Sequence, residues 1–186
     1  TKMSQWVRNI NLAAGEQLEK EVVFAQCTLK IETLDGNNKA LYSSAEVYSA
    51  GTDEKIKRKT GSKHTFTLLP GTYDIKVSCS PIEEDKWLRN IVLKGNDQVE
   101  RQVHFKLGKI KITAFGPEGK KLYLGVEVYT AGGKEQIHRA TGGSPTFTLK
   151  PGVYDIKVKA GEIESEKWLR GITIENGANL NQKVQF

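Results

Sequence analysis

FTLLPGTYDIKV at residues 66–77 returns as FTLKPGVYDIKV at residues 147–158, an offset of 81 residues. The same offset places KWLR at residues 86–89 on KWLR at residues 167–170, and no gap is needed anywhere. Self-similarity at a fixed period is typical of tandem arrays of one structural unit. The sequence therefore predicts a repeat protein rather than a single large domain.

The period also sets the expected boundaries of the units. We define module 1 as residues 25–105 and module 2 as residues 106–186. Residues 1–24 match the end of module 1 at the same offset, with Trp6 on Trp87. We expect this segment to be the terminal β-hairpin of a preceding, truncated repeat. It should be covered by a module of this chain or of a second chain, or it should complete a permuted unit.

The spacing of apolar residues within a module is two, which is the period of a β-strand with one buried face. In the quoted stretch, Tyr73, Ile75 and Val77 alternate with polar residues, and turns rich in Pro, Gly, Asn and Asp separate such runs. Seven strands are expected in module 1, near residues 26–33, 42–49, 55–60, 64–68, 73–79, 86–93 and 98–105. Because one sheet would leave its apolar face in water, the predicted fold class is all-β, with tandem seven-strand antiparallel β-sandwiches.

The quoted stretch, the KWLR strand and a closing strand that ends in Phe105 together resemble prealbumin-like domains. These include carboxypeptidase-regulatory-like and Cna-B-type modules with an immunoglobulin-like sandwich. The pattern is also similar to repeats that accompany von Willebrand A domains in bacterial exported proteins. The resemblance implies a non-catalytic spacer or protein-interaction module outside the cytoplasm, in the periplasm, on the cell surface or secreted. Its partners would be other modules of the same protein and a protein or glycan.

Four aromatic residues are predicted to be structural anchors of the sandwiches: Trp87, Trp168, Tyr73 and Tyr154. Trp87 shares its strand parity with Ile and Leu residues and Trp168 with Ile residues, which favours a position in the core. An exposed platform for a sugar ring is the alternative. Two further aromatic residues, Tyr48 and Tyr129, have outward parity, and exposed tyrosines are typical of interfaces.

Basic residues are in moderate excess, with a formal net charge of +6. The densest basic run is a predicted hairpin between Lys55 and His64, with the candidate anion-binding residues Lys55, Lys57, Arg58, Lys59 and Lys63. Such a run indicates a glycan- or polyanion-binding module as the alternative function. Module 2 has no comparable run, so we do not expect nucleic acid as a partner.

The two cysteines, Cys27 and Cys79, both have core-facing parity and are replaced together by Gly108 and Ala160 in module 2. Joint replacement is what a disulfide pair would show. The start of a first strand and the end of a fifth strand, however, often lie at opposite ends of a sandwich. Disulfide and free thiols therefore both remain open.

No catalytic, cofactor-binding or metal-binding motif occurs in the sequence. Nucleophile elbows, paired-His metal motifs and phosphate loops are all missing, and no histidine recurs at the repeat offset. No apolar run reaches the roughly 18 residues that span a bilayer. We therefore expect no enzyme activity, no cofactor and no transmembrane segment in this stretch of protein.

Overall fold

The computed structural model describes residues 7–21, 25–133 and 135–186. Within these residues the regular elements are β-strands, and the helical pieces are single three-residue 3-10 turns. Module 1 contains β1 Cys27–Leu34, β2 Ser43–Ser49, β3 Lys55–Gly61, β4 Lys63–Leu68, β5 Gly71–Cys79, β6 Glu84–Leu93 and β7 Gln98–His104. Module 2 contains β8 Gly108–Phe115, β9 Leu124–Thr130, β10 Gln136–Gly142, β11 Thr146–Leu149, β12 Gly152–Ala160, β13 Ser165–Ile174 and β14 Asn179–Gln185. The predicted fold class is confirmed.

Each module forms two sheets that face each other across one apolar core. In module 1 the strand orders are β4-β1-β7 and β3-β2-β5-β6, and module 2 has the equivalent orders β11-β8-β14 and β10-β9-β12-β13. Leu29 and Phe66 from the three-stranded sheet pack with Val47 and Ile75 from the four-stranded sheet, and all four are fully buried. Period-two alternation supplies these inward side chains, and their burial is the main source of stability.

One strand pair in each module differs from the antiparallel arrangement that we expected. β1 runs parallel to β7, and β8 runs parallel to β14. The first and last strands of a module are joined by the whole module, so the connection is long enough for a parallel pair. Side-chain alternation is the same in both arrangements, which is why the sequence pattern did not distinguish them.

The Pro-Gly-x-Tyr motif fastens the turn before β5 to the strand itself. The Tyr73 hydroxyl donates a 2.8 Å hydrogen bond to the carbonyl oxygen of Leu69, four residues earlier. A Cβ atom on Gly71 would lie 3.2 Å from that hydroxyl, so the close approach favours glycine. Tyr73 is otherwise buried, and its counterpart Tyr154 makes the same 2.8 Å bond to Lys150.

The segment before module 1 behaves differently from our expectation. Its described part, residues 7–21, contains a turn and no assigned strand, and its larger apolar side chains Val7, Ile10, Leu12 and Leu18 are exposed. Trp6, Val22 and Phe24 lie outside the described residues. Pairing of β6 with β5 and of β7 with β1 closes module 1 with its own strands. The place that equivalent strands would take in module 1 is therefore filled, and the covering of this segment by a module stays a prediction.

Candidate functional sites on the outer sheet face and at the module joint

A β-bulge in β6 determines what the outer face of the four-stranded sheet presents. The pairing of β5 with β6 shifts between Tyr73 and Ile75, so that Arg89 and Asn90 together oppose Asp74. Asn90 has a φ of 57°, in the left-handed region that asparagine and glycine tolerate best. Module 2 has Gly171 at the same place, with a φ of 64°.

The bulge overturns the predicted core position of the tryptophans. Beyond the bulge, Ile91 and Leu93 face the core as expected, but the extra residue reverses the parity before it. Leu88 therefore packs inward, and Trp87 lies on the outer face with 40% of its surface exposed. Trp168 has the equivalent place on β13 and is half-buried. Both residues are anchors on the outside of the sheet rather than in the core.

Asp74 lies opposite the bulge and is 2% exposed. Its carboxylate accepts hydrogen bonds from the Asn90 N–H at 2.8 Å, from Arg89 Nη1 at 2.8 Å and from the Gly51 N–H at 3.2 Å. The Asn90 amide, followed by the Arg89 guanidinium, holds the pKa of Asp74 below its usual range. Arg89 is thus the cross-strand ion partner of Asp74, while Lys76, two residues along the same strand, pairs with Asp85 of β6.

Module 2 repeats this arrangement. Asp155 is 4% exposed and accepts hydrogen bonds from Gly171, Arg170 and Gly132 at 2.9, 2.8 and 3.1 Å. The Gly171 amide and then Arg170 lower the pKa of Asp155. A carboxylate whose acceptor sites are filled by backbone amides and a guanidinium is a structural cap for the bulge rather than a free base.

The aromatic residues of this face stack on the same network. The Arg89 guanidinium lies 3.7 Å from the Trp87 ring centroid, and Tyr48 lies 5.3 Å from it at an inclination of 46°. The Tyr48 hydroxyl donates to Glu46 at 2.6 Å, and this bond raises the pKa of the phenol. Trp168, Arg170, Tyr129 and Glu127 form the same cluster in module 2. The cluster braces β6 and β13 against their sheets.

Three residues of the predicted basic run are engaged in ion pairs. Lys55 and Arg58 reach the outer face of the four-stranded sheet and approach the same carboxylate oxygen of Glu46, at 2.7 and 3.5 Å. Lys63 lies on β4 and pairs with Glu32 at 3.0 Å. Each of these cations therefore already faces an anion of its own module.

The remaining lysines of the run point in another direction. Lys57 donates to the carbonyl oxygen of Thr67 on β4, and the ammonium group of Lys59 lies 5.9 Å from the Phe66 ring centroid. Alternation along β3 separates Arg58 from Lys57 and Lys59, and the register shift between Val47 and Tyr48 brings Lys55 to the side of Arg58. The run is therefore divided between two sides of the module. A continuous stretch of basic sequence thus does not become one basic patch.

His64 does not belong to the exposed hairpin in which we placed it. The side chain is fully buried, and its Nε2 atom lies 3.0 Å from Ser43 Oγ. Burial, with a smaller effect from Lys59, lowers the pKa of His64. The imidazole is therefore neutral at pH 7 and adds no charge to an anion site.

The cysteines are free and buried. Cys27 is paired with Leu68 at the beginning of β1, and its thiol donates to the carbonyl oxygen of Gly95 at 3.2 Å. Cys79 ends β5 and is paired with Glu84, at the opposite end of the sandwich. A disulfide requires Cα atoms within about 7 Å, so the disulfide alternative is wrong for this structure.

The modules meet at a joint formed by one turn from each. Asn37, between β1 and β2, donates from Nδ2 to the carbonyl oxygen of Gly177 at 2.8 Å. A Cβ atom on Gly36 would lie 2.2 Å from Asn176 Oδ1, and one on Gly177 would lie 2.5 Å from Asn37 Oδ1. Each turn therefore places a glycine against an asparagine of the other turn.

The linker between β7 and β8, residues 105–107, is part of the same joint. Leu107 is 2% exposed and packs into the core of module 1. Its N–H donates to Asn176 Oδ1 at 3.2 Å, and its carbonyl oxygen accepts from the Gly177 N–H at 2.7 Å. Lys150 approaches the carbonyl oxygen of Glu83 at 3.5 Å. The sequence identified the turn around Asn37 but not its contact, because contacts between turns leave no periodic pattern.

Among the residues that the structure describes, no group of three or more His, Cys, Asp and Glu side chains is arranged to hold a metal ion. Among the same residues, no helix has the length and apolarity that crossing a bilayer requires.

Comparisons with known proteins give distant structural likenesses. No protein-family model matches the chain, and no curated protein matches it. The Bacillus anthracis TIE protein matches with 20% identity and a TM-score of 0.38, over 87% of this chain and 34% of that one. The shaft pilin spaA from Lactobacillus rhamnosus GG matches with 10% identity and a TM-score of 0.43, over 87% and 98%. A streptococcal ancillary pilin matches with 12% identity and a TM-score of 0.38, over 86% and 62%.

The chain therefore spans about a third of the TIE protein and less than two thirds of the ancillary pilin. These identities and TM-scores assign neither a family nor a function. The association with von Willebrand A domains stays a prediction from the sequence.

Proposed function

We propose that this chain is a non-catalytic segment of a larger exported protein that holds its neighbouring parts at a fixed separation and orientation. The observation that carries this proposal is the joint of Gly36, Asn37, Asn176 and Gly177, through which two turns interlock. A short linker alone limits motion, but it does not fix one orientation. Reciprocal hydrogen bonds and close backbone contact supply that second restraint.

The polar residues that both modules share support a structural rather than a catalytic role. Asp74 and Arg89, with Asp155 and Arg170, are engaged in capping a bulge and bracing an edge strand. In a spacer, such contacts stiffen each module, and a joint of fixed orientation then keeps the two modules together as one stiff unit. An extracytoplasmic location is proposed from the sequence resemblance.

The joint provides a direct test. Gly36→Ala adds a Cβ atom where Asn176 Oδ1 and the Gly177 nitrogen already lie, at 2.2 and 2.7 Å, and Gly36 has no positive φ that would strain alanine by itself. Gly161→Ala is the matched control, because no atom lies within 4 Å of its added Cβ. ¹⁵N relaxation should show one common rotational correlation time for both modules in the unmodified chain and in the control. Gly36→Ala should separate the two times while each module remains folded.

Independent tumbling of the modules in the unmodified chain would contradict the proposed function. Unchanged common tumbling in Gly36→Ala would show that the interlocking turns do not fix the orientation. A Gly36→Ala, Asn176→Gly double variant removes the obstructing amide and should partly restore common tumbling.

The alternative of a glycan- or polyanion-binding module has less support from the geometry. The basic run is divided between two sides, three of its cations face carboxylates, and His64 is buried. A Lys57→Ala, Arg58→Ala, Lys59→Ala variant tests this alternative by its retention on a sulfated glycan at increasing salt. Equal retention of the variant and the unmodified chain would exclude the run as a binding site.

A further inference from the structure

Module 1 contains a chain of three buried polar side chains in its otherwise apolar core. Thr33 Oγ1 lies 2.8 Å from Ser43 Oγ, and Ser43 Oγ lies 3.0 Å from His64 Nε2. Thr33 and His64 are 0% exposed, and Ser43 is 3% exposed. The three residues, which we call the polar trio, come from β1, β2 and β4 and therefore connect both sheets.

Module 2 forms the same sandwich without this trio. The equivalent positions are Ala114, Leu124 and Pro145, and the first two are fully buried. All three polar residues are thus replaced together by residues that cannot hydrogen-bond through their side chains. The fold does not require the trio, and burying polar groups in a core is unfavourable unless they pair. A role specific to module 1 is the simplest reason for its presence.

The trio lies directly behind the turn that makes the module joint. The Thr33 N–H donates to Ser62 at 2.9 Å, and the Leu41 N–H donates to Thr33 at 2.8 Å. Two residues after Thr33 the chain enters the turn that carries Asn37 to module 2. The trio therefore fastens together the strand ends from which the joint projects.

A proton on His64 would disturb this arrangement. Ser43 contacts Nε2, and the buried Nδ1 atom has no hydrogen-bond partner among the residues that the structure describes. An imidazolium would place an N–H at both ring nitrogens and a charge in the core, and neither is compensated there. The histidine can be accommodated only as the neutral ring.

In the described part of the chain, no anion lies inside the core beside His64 to offset such a charge. β1 and β2 present the trio hydroxyls, and β3 presents Lys59, whose charge opposes protonation. β5 ends near Ser43 at Cys79, whose pKa is raised by burial, so that this thiol is neutral. On the outward side of β4, the neighbouring Lys63 is already paired with Glu32.

We infer that the polar trio is an acid-sensitive latch, which holds the joint end of module 1 closed at neutral pH and releases it in mildly acidic surroundings. Module 2, which lacks the trio, stays closed. The effect on the joint rests on the proposed function, but the latch itself does not. A change of this kind would turn a rigid connection into a flexible one when the surroundings become acidic.

Proton linkage determines whether stability rises or falls with pH. His64 has a folded-state pKa below the ordinary value of 6.5, so the unfolded or opened state binds the proton first as the pH falls. Stability is complete above about pH 6.5 and is lost between that value and the lower folded-state pKa. The equilibrium constant for opening should rise by up to about tenfold for each pH unit in that window.

The test compares the two modules within the intact chain at about pH 7.5 and about pH 5. NMR titration should place the pKa of the His64 ring below 6.5. Amide-exchange protection, corrected for the intrinsic rate, should fall at Thr33, Ser43 and their neighbours at the lower pH, and it should remain in module 2. An ordinary His64 titration without opening, or equal protection of module 1 at both pH values, would overturn the latch.

Replacing the trio by the residues of module 2 provides the matched variant. Thr33→Ala, Ser43→Leu, His64→Pro should abolish the acid response of module 1, whereas His104→Gln, which removes an exposed imidazole, should leave it unchanged. If the triple variant does not fold, the exchange and titration data on the unmodified chain still decide the matter.

The response of the joint is measured separately, by whether the two modules tumble together. Common tumbling at neutral pH that separates at about pH 5 supports the whole inference. If module 1 opens in acid but the modules tumble together at both pH values, the inference that the latch controls the joint is overturned. Independent tumbling at both values contradicts the proposed function, while acid opening would still support the latch.

Discussion

The Asp74 carboxylate lies 2.8 Å from Nη1 of Arg89 on the neighbouring strand, and the same guanidinium lies 3.7 Å from the Trp87 ring centroid. One arginine thus connects a buried anion to an exposed aromatic ring. The contact exists because the bulge at Asn90 places its own N–H and the Arg89 side chain on the same side of β6. The bulge thus determines which side chains meet on this face of the sheet.

Asp74→Asn should destabilise module 1, because the neutral amide cannot accept the same three hydrogen bonds and leaves Arg89 without its anion. We expect the melting temperature of module 1 to fall by roughly 5 °C or more. Asp85→Asn is the control, since the Asp85–Lys76 pair at 2.7 Å is substantially exposed, and its effect should stay below about 2 °C. Equal effects of the two substitutions would contradict the capping role of Asp74.

Acid should affect both modules through the capping carboxylates. The pKa values of Asp74 and Asp155 are lowered below the usual 3.8, so their stabilising effect is present above that pH. It is lost as the pH falls through the lower folded-state values. Unfolding midpoints measured in steps below about pH 5 should decrease in both modules. Asp155→Asn should flatten this dependence in module 2 alone, and a response of module 1 to that variant would argue against the assignment.

Much of the fold could be predicted because the repeat allowed each pattern to be read twice. The predicted strand at residues 73–79 corresponds to β5 at Gly71–Cys79, and the one at 98–105 corresponds to β7 at Gln98–His104. Strict alternation and Pro-Gly turns carry that information. The direction of the β1–β7 pair does not follow from alternation, and the sequence did not supply it.

The outer face could not be predicted because one residue in the bulge reverses strand parity. Counting in twos from Ile91 back to Trp87 crosses Asn90, and the count then assigns Trp87 to the wrong side of the sheet. A residue able to adopt positive φ at that place, asparagine in one module and glycine in the other, was the available signal. The burial of His64 was missed for another reason. Its basic neighbours suggested an exposed hairpin, although its position in the alternation of β4 is an inward one.

Trp87→Ala tests the corrected position of the tryptophan. On the outer face, the substitution removes a partly exposed ring and its stacking contact with the Arg89 guanidinium, and it should cost about 1 kcal/mol of unfolding free energy. Phe66→Ala, at a fully buried position of the same module, should cost about 3–5 kcal/mol. Denaturant unfolding of both variants makes the comparison. A loss for Trp87→Ala as large as that for Phe66→Ala would restore the core position.

The thiols of Cys27 and Cys79 should be unreactive in the folded protein and free after unfolding. Both side chains are 0% exposed, and burial raises the pKa of Cys79, so little reactive thiolate is available there. The ends of β1 and β5 that carry them are separated by the length of the sandwich, roughly 25 Å for strands of this size. A thiol reagent added without reductant should therefore modify both cysteines only in denaturant. Cys79→Ala, which introduces the residue of module 2, should leave one reactive thiol under the same conditions. If the unmodified chain shows no reactive thiol when it is unfolded without reductant, a disulfide is demonstrated.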